Sequence, residues 1–129
     1  MKRAWQNAAQ GGDAAALRAM LEAGEDVDSL DRYGQTALML AARSGHVAAV
    51  EVLVEAGAQL DHTAKYRLSA LMLATINDRY RVAQLLVEAG ADTRLTGSGA
   101  PGFAGKTALD LADDLGRVTI ARLLRDRKL

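Results

Sequence analysis

The chain has 129 residues, with 16 basic side chains, 16 acidic side chains and no cysteine. This length fits one domain with a core of its own, and the balanced charge argues against a general attraction to nucleic acid, for which a clustered basic excess is typical. Because there is no cysteine, disulfides, thiolate metal sites and a cysteine nucleophile are excluded.

A repeat of 33 residues organises the chain. Glu-Ala-Gly recurs at residues 22–24, 55–57 and 88–90, and a fixed spacing of this size is typical of a stack of small units. Residues 36–41 have counterparts at 69–74 and 107–112. The last counterpart begins 71 residues after the first, five more than two repeats, so five residues are inserted before it. We therefore predict a single domain over 1–129, built from units of about 1–30, 31–63, 64–96 and 97–129.

The first unit is cut short at its start, and the second shows its elements most clearly. Apolar residues at helical spacing predict a helix over 36–44, with Thr36 as its N-cap and Gly45 at its end. A second helix is predicted over 47–56, followed by Gly57 in the left-handed conformation. Helices this short do not persist alone in water, so each pair must stack on its neighbours.

Polar segments separate the helix pairs. Residues 26–34 and 58–67 are rich in turn-forming side chains, so each unit is expected to carry a projecting, hairpin-like loop. The fourth unit carries the Gly-rich insertion at 97–105, in which Phe103 is the only large apolar side chain. Phe103 either folds back onto the stack or stands out as a contact residue.

These units resemble the ankyrin repeat family, whose pattern is Asp-x-x-Gly-x-Thr-Pro-Leu-His-x-Ala-Ala, then Gly-His, then a second helix that ends in Gly-Ala. Here the pattern falls on residues 31–42, 45–46 and 57–58, with the proline and histidine replaced. The third unit has Arg67 and Asp78 where the family has glycine, so we expect its loop and interhelical turn to be less regular. The resemblance implies an all-α ankyrin-repeat solenoid of about four helix-turn-helix units with projecting hairpin-like loops.

Residues 97–102 spell Gly-x-Gly-x-x-Gly, a pattern of dinucleotide sites. Such a site needs the pattern between a strand and a helix of a βαβ unit, and the flanking helix pairs do not provide that context. We interpret the stretch as a lengthened loop. The alternative function is a small-ligand or phosphate binder, or an enzyme, that uses the 97–105 loop.

Other candidate chemical groups lack the partners that catalysis or metal binding requires. His46 and His62 have no serine, carboxylate or second histidine at a suitable spacing. Asp26, Asp28 and Asp31 lack the central glycine and the distal glutamate of a calcium loop. We interpret Asp110, Asp113 and Asp114 as part of a solvated face. We predict no catalytic residue, no cofactor and no metal site, and therefore no enzyme.

The resemblance implies that the loop tips and the exposed side of each first helix form a concave surface that binds other proteins. Carried over position by position, the protein-binding residues are Arg32, Tyr33, Gln35, Arg43, Lys65, Tyr66, Leu68, Ile76, Asn77, Phe103 and Lys106. Tyr33 and Tyr66 are one repeat apart, so we expect them to stand side by side. Tyrosine is a frequent interface hot spot, although a tyrosine at a loop tip can also pack on the neighbouring loop.

We predict a protein-protein interaction module that acts as an inhibitor, an immunity factor or an adaptor and is monomeric when free. A homo-oligomer that uses the same face on itself is the other open interpretation. The middle units favour a partner with an acidic surface because they gather basic residues, at Arg32, Arg43, Lys65, Arg67 and Arg79. No apolar stretch approaches the ~18 residues of a membrane span, and residues 4–10 lack the apolar run of a secretory signal. We therefore expect a cytoplasmic protein without membrane or nucleic-acid partners.

Overall fold

The computed structural model describes residues 1–126, so residues 127–129 of the predicted fourth unit lie outside the described residues. Eight α-helices in the described part form four successive pairs, and the predicted all-α architecture is confirmed. The pairs are α1 (Arg3–Gly11) with α2 (Ala14–Glu22), α3 (Ala37–Ser44) with α4 (Val47–Glu55), α5 (Ala70–Ile76) with α6 (Tyr80–Glu88), and α7 (Ala108–Leu115) with α8 (Val118–Asp126).

The helices stack in two layers. Helices α1, α3, α5 and α7 pack on one another in chain order, and α2, α4, α6 and α8 form the second layer in the same way. Since each helix is too short to be stable alone, this packing between units supplies most of the stability of the stack. None of the helices within residues 1–126 has the length and apolar character needed to cross a membrane.

The sequence patterns that predicted the helix boundaries act as expected. Thr36 Oγ1 accepts the backbone N–H of Met39 at 3.2 Å and starts α3, and equivalent serine and threonine caps start α5 and α7. Gly45 follows α3 with φ of 77°, and Gly57 lies after α4 with φ of 85°. The predicted N-cap and the predicted left-handed Gly57 are therefore confirmed.

The core runs through all four units and is rich in alanine and leucine. Ala41, Ala74 and Ala112 occupy the same position in three units, and each is fully buried. Their small side chains allow neighbouring first helices to approach closely. Trp5 fills the core of the first unit and is also fully buried.

A repeated hydrogen bond ties each unit to the one before it. His46 Nε2 donates to the carbonyl oxygen of Gln10 at 2.9 Å. Arg79 lies one repeat further on, and its Nε donates to the carbonyl oxygen of Arg43 at 3.1 Å. Arg117 forms the third such bond, to a carbonyl at the end of α5. Each bond satisfies a backbone carbonyl in the last turn of a first helix, where the helix itself offers no donor.

At two positions the third unit has the same backbone conformation as the second, although it lacks the glycines found there. Arg67 and Asp78 stand at the positions of Gly34 and Gly45, and both have φ of 58°. The turn at Asp78 also makes the same pair of backbone hydrogen bonds as the turn at Gly45, so the expectation of an irregular turn is wrong. The loop does differ, because Tyr66 has φ of 63°, and a bulky residue in the left-handed region is strained.

Candidate functional site

The loops that precede α3, α5 and α7 are closed by the same backbone hydrogen bond. The bonds join the N–H of Asp31 to Gln35 O, that of Ala64 to Leu68 O, and that of Gly97 to Lys106 O, at 2.9, 3.2 and 2.9 Å. The loop tips are therefore residues 32–34, 65–67 and 98–105. All five inserted residues lie in the third tip, outside the helices.

A cavity of about 430 Å³ lies between the loop tips and the first helices, and we call it the loop-tip cavity. Its volume falls in the range of about 300–1,000 Å³ that is usual for binding sites. The lining comes from the second, third and fourth units. It consists of Tyr33, Gln35, Met39, Arg43, Ala64, Lys65, Tyr66, Leu68, Leu73 and Phe103.

Core side chains form the inner part of the loop-tip cavity. Met39, Leu68 and Leu73 line it, and each is buried. Leu68 was predicted to lie on the exposed surface, but only 7% of it is exposed because it packs into the core. It therefore contributes an apolar base to the cavity and no exposed contact area.

The inserted loop packs against Tyr66. The N–H of Ser98 donates to Tyr66 O at 2.8 Å, and the ring centroids of Tyr66 and Phe103 are 5.4 Å apart. Gly99 leaves the space for the ring of Tyr66, since a Cβ at Gly99 would lie 2.8 Å from Tyr66 Cδ1. Phe103 thus folds back onto the stack, and the insertion holds Tyr66 in its strained backbone conformation.

Two loop tips carry the same arrangement of a cation over a tyrosine. The guanidinium carbon of Arg32 lies 5.3 Å from the ring centroid of Tyr33, and Lys65 Nζ lies 5.0 Å from that of Tyr66. Tyr33 is 63% exposed and Tyr66 is 36% exposed. Both tyrosines line the same cavity, as their spacing suggested, but the ring that packs on Tyr66 belongs to Phe103. Each cation is within the range of a cation–π contact with its ring.

The charged residues that line the loop-tip cavity are both cations, Arg43 and Lys65. Neither forms an ion pair within residues 1–126. In the fourth unit, by contrast, Asp114 pairs with Lys106 and Asp113 pairs with Arg125. The cavity therefore has a local positive potential although the chain as a whole is neutral.

The cavity also contains an unused hydrogen-bond acceptor. Gln35 Oε1 is buried and has no hydrogen-bond partner among the described residues. A buried polar atom without a partner is uncommon, because it has lost its bonds to water without replacing them. A ligand N–H group could satisfy this oxygen once the Gln35 side chain rotates to expose it.

Seven of the predicted binding residues line the loop-tip cavity, namely Tyr33, Gln35, Arg43, Lys65, Tyr66, Leu68 and Phe103. Arg32 borders a separate depression of about 740 Å³ beside α1. Ile76 is half-buried, Asn77 donates its side-chain amide to the carbonyl oxygen of Leu73, and Lys106 pairs with Asp114. These four residues lie outside the cavity lining.

The sequence interpretation missed Met39, Ala64 and Leu73 as lining residues. Met39 precedes Arg43 by four residues, so it shares a helix face with a predicted residue that lines the cavity. That spacing is the signal that could have identified Met39. Met39 and Leu73 are both buried in the core, so they serve the core and the cavity together.

The backbone of the Gly-rich loop is largely occupied by bonds within the protein. Gly97 donates to Lys106 O, Ser98 to Tyr66 O, and Gly105 to Gly97 O, and the N–H groups of 100, 103, 104 and 106 also donate to loop carbonyls. A phosphate-binding loop needs several free N–H groups that point at the ligand. This arrangement favours a structural role for the loop over phosphate binding.

The histidines and turn aspartates are likewise engaged with the backbone. His62 Nε2 donates to Gly34 O at 2.9 Å, and Asp28 Oδ1 accepts the N–H of Gln59 from the next loop. No group of three His, Asp or Glu residues within 1–126 is arranged to hold a metal ion. Away from the cavity, the backbone N–H of Arg94 and then its side chain hold the pKa of Asp92 below its ordinary value.

One family model matches the chain. It describes ankyrin repeats in three copies and covers residues 5–97. The matched range spans α1 to α6 and ends at the first residue of the Gly-rich insertion. No curated protein gives a significant match to the chain.

Proposed function

Because this chain belongs to the ankyrin repeat family, whose repeats generally mediate protein-protein interactions, we propose that it binds a partner protein through its loop tips and first helices. The observation that carries the proposal is the loop-tip cavity. It presents two exposed tyrosines, unpaired cations and an apolar base at one place. Large aromatic side chains beside cations are the usual anchors of protein interfaces.

The proposed partner presents an acidic surface. Arg43 and Lys65 line the cavity without ion pairs in the described part of the chain, and Arg32 and Arg67 lie at the adjacent loop tips and are exposed. Carboxylates of a partner would find these cations without breaking existing pairs. The association rate should then fall as salt is added.

We propose that the chain binds its partner without a catalytic step. We also propose that it is cytoplasmic and that it is monomeric when free. Occupation of a partner surface is the physical step that inhibitors, immunity factors and adaptors share. Multi-angle light scattering tests the monomer directly. A stable dimer would indicate that a second copy of the chain occupies the cavity.

The test is retention of a protein from the source cell by the immobilised chain. Three versions are compared: the wild type, Tyr33→Ala/Tyr66→Ala, and a control, Val118→Ala, in the second helix of the fourth unit. The control removes exposed apolar area from the fourth unit, away from the cavity. A partner retained by the wild type and the control, and lost by the tyrosine variant, is the expected result. Equal retention by all three would move the site away from the loop tips, and retention by none would contradict the proposal.

A further inference from the structure

We infer that the loop-tip cavity receives one large apolar side chain of the partner, carried on an extended peptide segment with carboxylates on the neighbouring residues. The inference rests on the proposed function and adds the chemistry of the segment that is bound. It follows from four features of the cavity, which are its apolar base, its unpaired cations, its unused acceptor and its fixed wall.

The base of the cavity selects an apolar side chain. Met39, Leu68 and Leu73 reach it from the core, and Tyr66 and Phe103 form an aromatic wall beside them. A polar group placed there would lose water and find few partners. An aliphatic or aromatic side chain would gain by leaving water.

The charges of the cavity select carboxylates next to that side chain. Arg43 and Lys65 are its charged lining residues, and within residues 1–126 neither has a carboxylate partner. Lys65 is also exposed, so its ammonium group can reach a bound segment that crosses the mouth. Bonds from ionised donors to carboxylates are stronger than bonds between neutral groups.

The unused acceptor favours a peptide backbone. Gln35 lines the same cavity, and its Oε1 is buried without a partner in the described part of the chain. An extended peptide presents an N–H group at every residue except proline. Insertion of its side chain would bring a backbone N–H near Gln35, and rotation of the Gln35 side chain would then expose this oxygen so that it accepts the N–H.

The open mouth distinguishes a peptide from a free small molecule. Tyr33 lines the cavity and keeps 63% of its surface exposed. A molecule that only filled the cavity would leave this ring in water. A chain that continues on both sides of the inserted side chain would cover it.

The inserted loop has already fixed the wall that the peptide would meet. Tyr66 keeps a strained backbone because Ser98 bonds its carbonyl and Phe103 packs on its ring. Binding then requires no further ordering of this ring, and such preorganisation increases affinity. The insertion of the fourth unit is therefore part of the recognition site.

The test titrates defined peptides into the ¹⁵N-labelled chain and follows its amide signals. The main probe is acetyl-Gly-Glu-Phe-Glu-Gly-amide. Three comparison probes replace both Glu by Gln, replace Phe by Ala, or use free N-acetylphenylalaninate. We expect the main probe to shift amides in 33–43, 64–68 and 98–106 and to bind about fivefold tighter, or more, than each of the others.

Each other outcome overturns the inference. If the Gln peptide binds equally well, the carboxylates do not contribute to binding. If the Ala peptide binds equally well, the apolar side chain does not contribute to binding. Equal binding of N-acetylphenylalaninate would make the occupant a small carboxylate. No shift, or a shift confined to other residues, would show that the cavity takes no such segment.

Variants separate the contacts from general stability. Phe103→Ala should weaken the main probe about fivefold, and Phe103→Leu, which keeps an apolar side chain, should weaken it less. Lys65→Gln should weaken the Glu peptide but leave the Gln peptide unchanged, whereas Val118→Ala, in the second helix of the fourth unit, should change neither. If the peptides fail while Tyr33→Ala/Tyr66→Ala still loses the cellular partner, this inference fails and the proposed function stands. If both fail, the loop tips are not a binding surface.

Discussion

Arg79 reaches the carbonyl oxygen of Arg43 across a place where Gly45 has no side chain. A Cβ on Gly45 would lie 2.7 Å from Arg79 Cδ. The same relationship occurs one unit earlier, where a Cβ on Gly12 would lie 2.5 Å from the ring of His46. At these two places the glycine after the first helix of one unit makes room for the side chain by which the next unit is tied to it, whereas in the third unit Asp78 stands there and Arg117 still bonds Ile76 O.

This relationship predicts unequal costs for two glycine substitutions. Gly57→Ala should lower the free energy of unfolding by about 1 kcal/mol, because Gly57 has positive φ but faces open space. Gly45→Ala should cost about 1 kcal/mol more, since Arg79 must also give up its hydrogen bond. Urea denaturation of the two variants measures the difference. Equal losses would show that Arg79 relaxes without cost.

Asp78→Gly should stabilise the chain. Asp78 has φ of 58° at the position where the second unit has glycine, and relief of the left-handed conformation is worth about 1 kcal/mol. Asn77→Gly is the matched control, because Asn77 has φ of −93° and donates to Leu73 O, so its loss should destabilise. A lower melting temperature for Asp78→Gly would mean that the aspartate makes a favourable interaction that outweighs its strain.

Two glycines of the insertion test how it supports Tyr66. Gly99 and Gly105 both have positive φ, but only at Gly99 would a Cβ meet the ring of Tyr66. Both alanine variants should therefore lose about 1 kcal/mol from the backbone, and only Gly99→Ala should displace the ring. The nuclear Overhauser effect between the rings of Tyr66 and Phe103 reports this, and we expect it to weaken in Gly99→Ala alone. Its survival there would show that the Ser98 hydrogen bond suffices.

Arg94→Ala should raise the pKa of Asp92 but leave it below its ordinary value, because the backbone N–H of residue 94, the larger cause of the shift, remains. A carboxyl group whose pKa is lowered on folding stabilises the fold at pH values above its unfolded pKa. That contribution is lost as the pH falls through the folded pKa. A carbon-detected NMR titration follows the carboxyl signal, with Arg122→Ala as the control. No change in Arg94→Ala would assign the whole shift to the backbone.

Much of the helical stack could be predicted because each unit repeats local signals. Thr36 and Gly57 lie at helix ends where side-chain and backbone chemistry decide the structure within a few residues, and both act as predicted. The left-handed turn at Asp78 was not anticipated, since the residue type alone argues against it. The turn at Asp78 makes hydrogen bonds equivalent to those of the turn at Gly45, and they override the preference of aspartate for negative φ.

The candidate site was less predictable, because it depends on contacts between units. Met39 and Leu73 have the sequence signature of core residues, and only the assembled stack shows that they also border a cavity. The partner of the Tyr66 ring was hidden for a different reason. Phe103 directly follows five inserted residues, 98–102, that have no counterpart in the other units, so the repeat could not predict where this loop folds.

The closing hydrogen bond of each loop makes the length of the loop tip independent of how the helices pack. Its ends enclose three residues in the second and third units and eight in the fourth, yet α7 packs on α5 as α5 packs on α3. A mutation can therefore lengthen one tip without shifting any helix. In evolution, this row of loops can change the partner that is recognised by one insertion at a time, while the helical scaffold is inherited unaltered.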